Sequence, residues 1–172
     1  MRPLEIEEVY RDVRDRLWSY INSIVRDSDA SEDIFQRAWL KVLPVISKKG
    51  LDRESLVPYL FGIARNECMD HFRRRTRELR ALEKIATPQA TAAADESGDI
   101  RDAIDDCLNN AALAESRREM LRLRLIGQLS MEEIASILKL SRSTAYRELE
   151  AGLQFLAAAL ERAGIGREIL QK

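Results

Sequence analysis

The sequence predicts an all-α protein: two small helical domains joined by a flexible linker, the C-terminal one containing a helix-turn-helix. Apolar residues recur at threes and fours through most of the chain, and no period-2 strand pattern of any length appears. Charged residues make up 33% of the chain and aromatics only 6%, a balance that suits amphipathic helices more than sheets. Residues 87–98, TPQATAAADESG, are short on large apolar side chains and read as a linker. The expected division is therefore 1–86, a linker at 87–98, and 99–172.

The elements follow in order. Ile6, Val9, Tyr10, Val13, Leu17, Ile21, Ile24 and Val25 define a long first helix. Asp27, Ser28 and Asp29 end it, and Asp29 with Glu32 is placed to cap the next. Ile34, Phe35, Ala38, Trp39, Val42, Leu43 and Ile46 form a second amphipathic helix, whose polar face carries Glu32, Asp33, Gln36, Arg37 and Lys41. Residues 47–54, SKKGLDRE, read as a polar loop. A third helix is expected from Ser55, with Pro58 tolerated in its first turn. Its buried stripe is Leu56, Tyr59, Leu60, Ile63, Ala64 and Phe72, and it runs into the one strong basic cluster of the chain, residues 71–77, HFRRRTR.

Beyond the linker, Ile100, Ile104, Cys107 and Leu108 suggest a fourth helix among acidic residues. Met120, Leu121, Leu123 and Leu125 suggest a fifth, ending at Gly127. Residues 130–160 then read as a short helix, a tight turn and a longer helix. Ser130 with Glu133 is a capping box, Ile134, Ile137 and Leu138 give the apolar stripe, and Ser141 is a good N-cap. In the second helix Ala145 and Leu149 face inward, leaving Arg142, Ser143, Thr144, Tyr146 and Arg147 to project outward. Such a helix presents its N-terminal residues to the major groove; an αα-hairpin inside an ordinary bundle is the alternative.

Net charge is −1, so the chain has no overall basic signature for nucleic acid, and DNA contact must come from local patches. Cys68 and Cys107 lie far apart and outside any C-x-x-C, which supports neither a disulfide framework nor a zinc site. No signal-peptide core opens the chain, and its most apolar run, residues 153–160, is too short to span a bilayer; a soluble, cytoplasmic protein without membrane insertion is expected. One histidine, His71, stands without a nucleophile elbow, phosphate loop or metal-ligand spacing around it, so neither an enzyme nor a cofactor or metal site is expected.

Three stretches together resemble a bacterial RNA polymerase sigma factor of the sigma-70 superfamily, in its extracytoplasmic-function (ECF) group. Residues 31–39, SEDIFQRAW, resemble the acidic-then-aromatic helix that docks on the β′ clamp of core polymerase. Residues 58–66, PYLFGIARN, followed by 70–75, DHFRRR, resemble the family pattern of the element that recognises and melts the −10 region. The helix-turn-helix corresponds to the −35 reader. The resemblance spans nearly the whole chain in the family's order, and it implies core RNA polymerase (β′ clamp and β flap), promoter DNA and an anti-sigma factor as partners. It assigns polymerase binding to Glu32, Asp33, Gln36 and Trp39. For the −10 element it implies Lys48, Lys49, Arg53, Arg65, Asn66, Asp70, Arg73, Arg74, Arg75 and Arg77, and for the −35 element Arg142, Ser143, Thr144, Tyr146 and Arg147.

Elementary chemistry supports these roles. Melting needs cations for phosphates and a group that reads a base leaving the stack. The arginines from Arg65 to Arg77 supply the first and Asn66, both donor and acceptor, the second. A helix C-terminus alone favours cations by only about 0.3–1 kcal/mol each, and four arginines in five positions exceed that need. The sequence departs from the family pattern at Tyr59 (a tryptophan in the family), at Lys139 (the turn glycine), and at Glu148 and Glu150, carboxylates in a helix the family keeps basic. A stand-alone helix-turn-helix regulator, or a sigma-like adaptor that sequesters an anti-sigma factor, are the other readings.

Overall fold

The computed structural model describes residues 6–49, 52–83 and 100–162. Among them are α1 (Ile6–Val25), α2 (Ser28–Lys49), α3 (Arg53–Glu83), α4 (Ile100–Leu108), α5 (Glu115–Leu121), α6 (Met131–Leu138) and α7 (Arg142–Arg162), with no strand. α5 continues without a break into a π turn, Arg122–Ile126. The predicted linker, 87–98, lies outside the described residues.

Side-chain caps set the starts of α2 and α3, two residues earlier than expected in each case. α1 stops where Arg26 turns left-handed, at φ 56°. Asp27, rather than Asp29, then caps α2, its Oδ1 accepting the Ala30 N–H at 2.9 Å. α2 runs on to Lys49 through Pro44, which has no N–H to return to residue 40; Pro44 and Leu40 both lie on the solvent side, where water can take the carbonyl left free. Asp52 caps α3 by accepting the Ser55 N–H at 2.8 Å, so Ser55 sits inside the helix, and the polar loop expected at 47–54 gives way to helix at both ends, α2 running to Lys49 and α3 starting at Arg53.

α1, α2 and α3 pack into one bundle around Val13, Leu17, Ile21, Ile34, Ala38, Val42, Leu56, Leu60 and Ala64, all fully buried. Each large aliphatic side chain buried this way contributes roughly 1.5–3 kcal/mol. Tyr59, expected in the buried stripe of α3, is 45% exposed; Val57, Phe61 and Cys68 fill that face instead. α4–α7 form the second bundle around Leu108, Met120, Leu121, Leu123, Leu129, Ile134 and Ala145. Leu125, read as part of its apolar stripe, lies at the surface.

The helix-turn-helix forms as its residues predict. Ser130 and Glu133 make both hydrogen bonds of the capping box. Lys139 takes the left-handed conformation (φ 55°, ψ 42°) that a glycine holds without strain, at a cost of roughly 1–2 kcal/mol. Ser141 Oγ accepts the Thr144 N–H and starts α7.

The two bundles do not stand apart: their buried side chains form one continuous cluster. α3 packs on α6, and α1 packs on the π turn. At the join, Gly127 lies against the Phe61 ring, and a Cβ there would sit 2.7 Å from the Leu123 carbonyl oxygen and 3.0 Å from Phe61. Gly127→Ala should therefore destabilise the folded chain by about 1–3 kcal/mol, read as a lowered urea midpoint.

Candidate nucleic-acid and partner interfaces

Beyond Phe72, the C-terminal half of α3 leaves the core, and its arginines are exposed. With α2 this half of α3 walls a groove of about 1020 Å³. Six cations line it, Arg37 and Lys41 from α2 and Arg73, Arg74, Arg77 and Arg80 from α3, against two carboxylates, Glu67 and Asp70. Glu67 is buried at the base of the groove and is ion-paired with Lys41, while Arg37 Nε lies 3.2 Å away, near enough for charge attraction without hydrogen-bond alignment. Asp70 accepts from Arg73 at 3.1 Å. Four positive charges therefore exceed the negative ones in the groove, and its open side is suited to phosphates.

Of the residues expected at the −10 element, Asp70, Arg73, Arg74 and Arg77 come together in this groove. Arg75 is exposed on the same helix. Lys48 is exposed, and Arg53 is ion-paired with Asp12 of α1; the side chain of Lys49 lies outside the described residues. Arg65 and Asn66 line a different space, a cleft of about 1110 Å³ between α3 and α6. Sequence reasoning left Arg37, Lys41 and Arg80 out of the DNA set. The signal was present in part: Arg73, Arg77 and Arg80 fall at i, i+4 and i+7 on one face, as Arg37 and Lys41 do at i and i+4.

In the helix-turn-helix, Arg142, Ser143, Tyr146 and Arg147 are exposed, and the Tyr146 ring is 54% accessible. Thr144 is half-buried, with its hydroxyl 2.8 Å from Ser141 Oγ, so the cap holds it. Glu148 turns away from this surface and accepts from Arg117 Nε of α5 at 3.1 Å. Glu150 remains exposed.

On α2, Glu32, Asp33 and Gln36 form an exposed polar face, with Gln36 donating to Glu32 at 3.0 Å. Trp39, placed with them by the resemblance, is 7% exposed and packs against Tyr10 and Phe35. It supports the face from beneath rather than forming part of it. Between the bundles, Tyr20 and Cys68 are fully buried. Burial, and after it the Glu119 carboxylate, push the Tyr20 hydroxyl well above its usual range and the Cys68 thiol up to about 12.

Residues 9–78 match the family model described as Sigma-70 region 2, and residues 101–156 match Sigma-70, region 4. The ECF RNA polymerase sigma factor SigM of Bacillus subtilis is 22% identical over 92% of this chain and 97% of its own. SigK of Mycobacterium tuberculosis is 25% identical over 90% of this chain and 84% of its own. Among solved structures, the sigma factor RpoE of Bartonella quintana, crystallised with the anti-sigma factor NepR, superposes with a TM-score of 0.69 at 22% identity, over 91% of this chain and 97% of its own.

Two outcomes follow from the pairs described. A double-mutant cycle on Arg117 and Glu148 in urea unfolding should return a coupling of about 0.2–1 kcal/mol, the range of partly exposed pairs. The folded chain also keeps the Cys68 proton that the unfolded chain releases above about pH 9, so this stability is whole below pH 9 and falls as pH rises toward 12. The unfolding free energy from urea titrations should drop through that window, by up to about 1.4 kcal/mol per pH unit for this thiol, and Cys68→Ala should flatten the drop.

Proposed function

The chain belongs to the sigma-70 family, in its ECF group, as a promoter-specific initiation factor of RNA polymerase, and from that premise we propose which surface takes each role. The N-terminal domain, 1–86, docks on the β′ clamp through Glu32, Asp33 and Gln36, with Trp39 holding the face from below. The same domain engages and melts the −10 element. Phosphates run along the α2–α3 groove on Arg73, Arg74, Arg75 and Arg77, extended by Arg37, Lys41 and Arg80. Arg65 and Asn66 meet the strand where a base leaves the stack, and Lys48, Lys49 and Arg53 flank it. The C-terminal domain, 99–172, reads the −35 element through Arg142, Ser143, Tyr146 and Arg147, with Thr144 ordering the helix start, and residues 87–98 connect the two domains.

The observation that carries this reading is the groove itself: six cations gathered against two carboxylates in a chain whose net charge is −1. Segregation of that kind serves a polyanion. The pairing of Glu148 with Arg117 supports the −35 assignment, because it withdraws from the reading surface one of the charges that would repel phosphate. The Bartonella relative is held by an anti-sigma factor, and a protein inhibitor of this chain would meet apolar side chains left exposed on α7, Leu153 among them.

Fluorescence anisotropy of the labelled chain titrated with bacterial core RNA polymerase tests the docking assignment. Wild type should bind, and Asp33→Ala should weaken binding by roughly tenfold, the loss expected of a significant interface side chain; absence of binding by folded wild type would remove the assignment. With the polymerase bound, Arg73→Ala combined with Arg74→Ala should weaken promoter binding and make the slope of log affinity against log salt shallower by about two. An unchanged slope would take those arginines off the DNA surface.

A further inference from the structure

Two carboxylates stand in α7 beside the residues proposed to read the −35 element, and their surroundings differ. Glu148 is half-buried and accepts from Arg117 Nε at 3.1 Å, a bond that ties α7 to α5. Glu150 is exposed, and no hydrogen bond or ion pair engages it among the described residues. Arg147, three residues earlier and also exposed, does not take it as a partner within the helix. The carboxylate is free for something outside the chain.

Its place on the helix is specific. Arg142, Ser143, Tyr146, Arg147 and Glu150 fall at i, i+1, i+4, i+5 and i+8, one exposed face of α7, while Ala145 and Leu149 turn to the core. Viewed down the axis, the step of about 100° per residue sets Glu150 between Tyr146 and Arg147. From Arg142 to Glu150 the helix rises about 12 Å, close to the width of the major groove of B-DNA. A helix that enters the groove by its N-terminal end carries Glu150 in with it.

Phosphates on both sides of the groove repel a carboxylate there, so it lowers affinity for any duplex. What it gains is a hydrogen bond, and an ionised carboxylate only accepts. The base edges meet that demand unequally. Guanine presents two acceptors, thymine an acceptor and a methyl group, and adenine sets its amino donor beside the N7 acceptor. Cytosine alone presents a donor, its N4 amino group, with no acceptor on the same base.

We infer that Glu150 is a specificity-determining residue of the −35 reader: its carboxylate accepts from the N4 amino group of a cytosine in the major groove. This rests on the reading of Arg142, Ser143, Tyr146 and Arg147 as the −35 surface. The same charge that selects cytosine weakens binding to every other sequence, so Glu150 favours selection over strength. Glu148 has no such part, because its carboxylate serves Arg117.

The test uses holoenzyme assembled from the full chain and bacterial core RNA polymerase, given a pool of promoter-length duplexes of random sequence, with the bound fraction sequenced. Wild type should return a −35 motif in which one position prefers cytosine about tenfold over the next base. Glu150→Ala should level that position to within about twofold and leave the others as they were. Glu150→Gln should move it to adenine, whose N6 and N7 a glutamine amide pairs with both of its groups. Both variants should also bind an unrelated duplex about twofold tighter at ~0.1 M salt, because one charge facing phosphate is gone. Glu148→Gln should select the wild-type motif. Looser selection together with tighter general binding is the signature; a merely solvated carboxylate would give the second without the first. A motif that both Glu150 variants share with wild type would overturn the inference alone, as would a loss of preference spread evenly over all positions. Wild-type holoenzyme that selects no −35 motif would remove the −35 reading, and this inference with it.

Discussion

A buried carboxylate must be paired, and Glu119 imposes that requirement on two bundles at once. Isolated, its charge would carry a desolvation cost of several kcal/mol; here Arg65 and Tyr20 supply the donors, and both come from the other bundle. The consequences extend outward. Tyr20 must sit deep in its own core, where its ring packs 5.4 Å from that of Phe61. Phe61 must then meet the second bundle at a residue with no side chain, which is Gly127. The Gly127 and Gln128 carbonyls that follow the π turn face Arg16. Removing the charge would not merely delete one contact; it would remove the reason these surfaces match.

The second organising feature is how a nearly neutral chain keeps its charges apart. Acids that stand among bases are held by structural partners, Glu67 beneath the groove, Glu148 against α5 and Glu133 in its capping box. Glu32 and Asp33 face outward on α2, outside the groove that the α3 arginines line. One molecule thus keeps a positive groove and a negative face without either cancelling the other. Overall charge is therefore a poor guide to how charge is distributed on this surface.

Local patterns are legible in the sequence; relations between distant segments are not. Periodicity locates the helices, and Ser130 with Glu133 announces its capping box, because both signals are carried by residues within one turn. The starts of α2 and α3 escape by two residues because Asp27 and Asp52 compete with equally plausible neighbours, Asp29 and Ser55, and only backbone geometry decides among them. Tyr59 reads as buried because an apolar ring at helical spacing looks like core, whereas the face of α3 rotates toward Phe61 and Cys68 to meet a second bundle that the pattern cannot announce. Glu119 and Tyr20 give no sign of their partnership. They stand 99 positions apart, and a glutamate among arginines in a charged helix ordinarily faces water.

The π turn sets the rotational phase of α6 and α7 relative to α5. Such a turn is equivalent to one extra residue carried within a helix, and each residue of an α-helix advances the side chains by about 100°. Glu119 lies before the extra residue; Gly127 and the recognition helix lie after it. Excising one position from residues 122–126 would restore an ordinary helix and swing the reading head through that angle relative to the carboxylate that anchors it. The relative aim of the α3 groove and the helix-turn-helix is thus written into backbone register rather than side-chain chemistry, and a single codon gained or lost there would re-aim it.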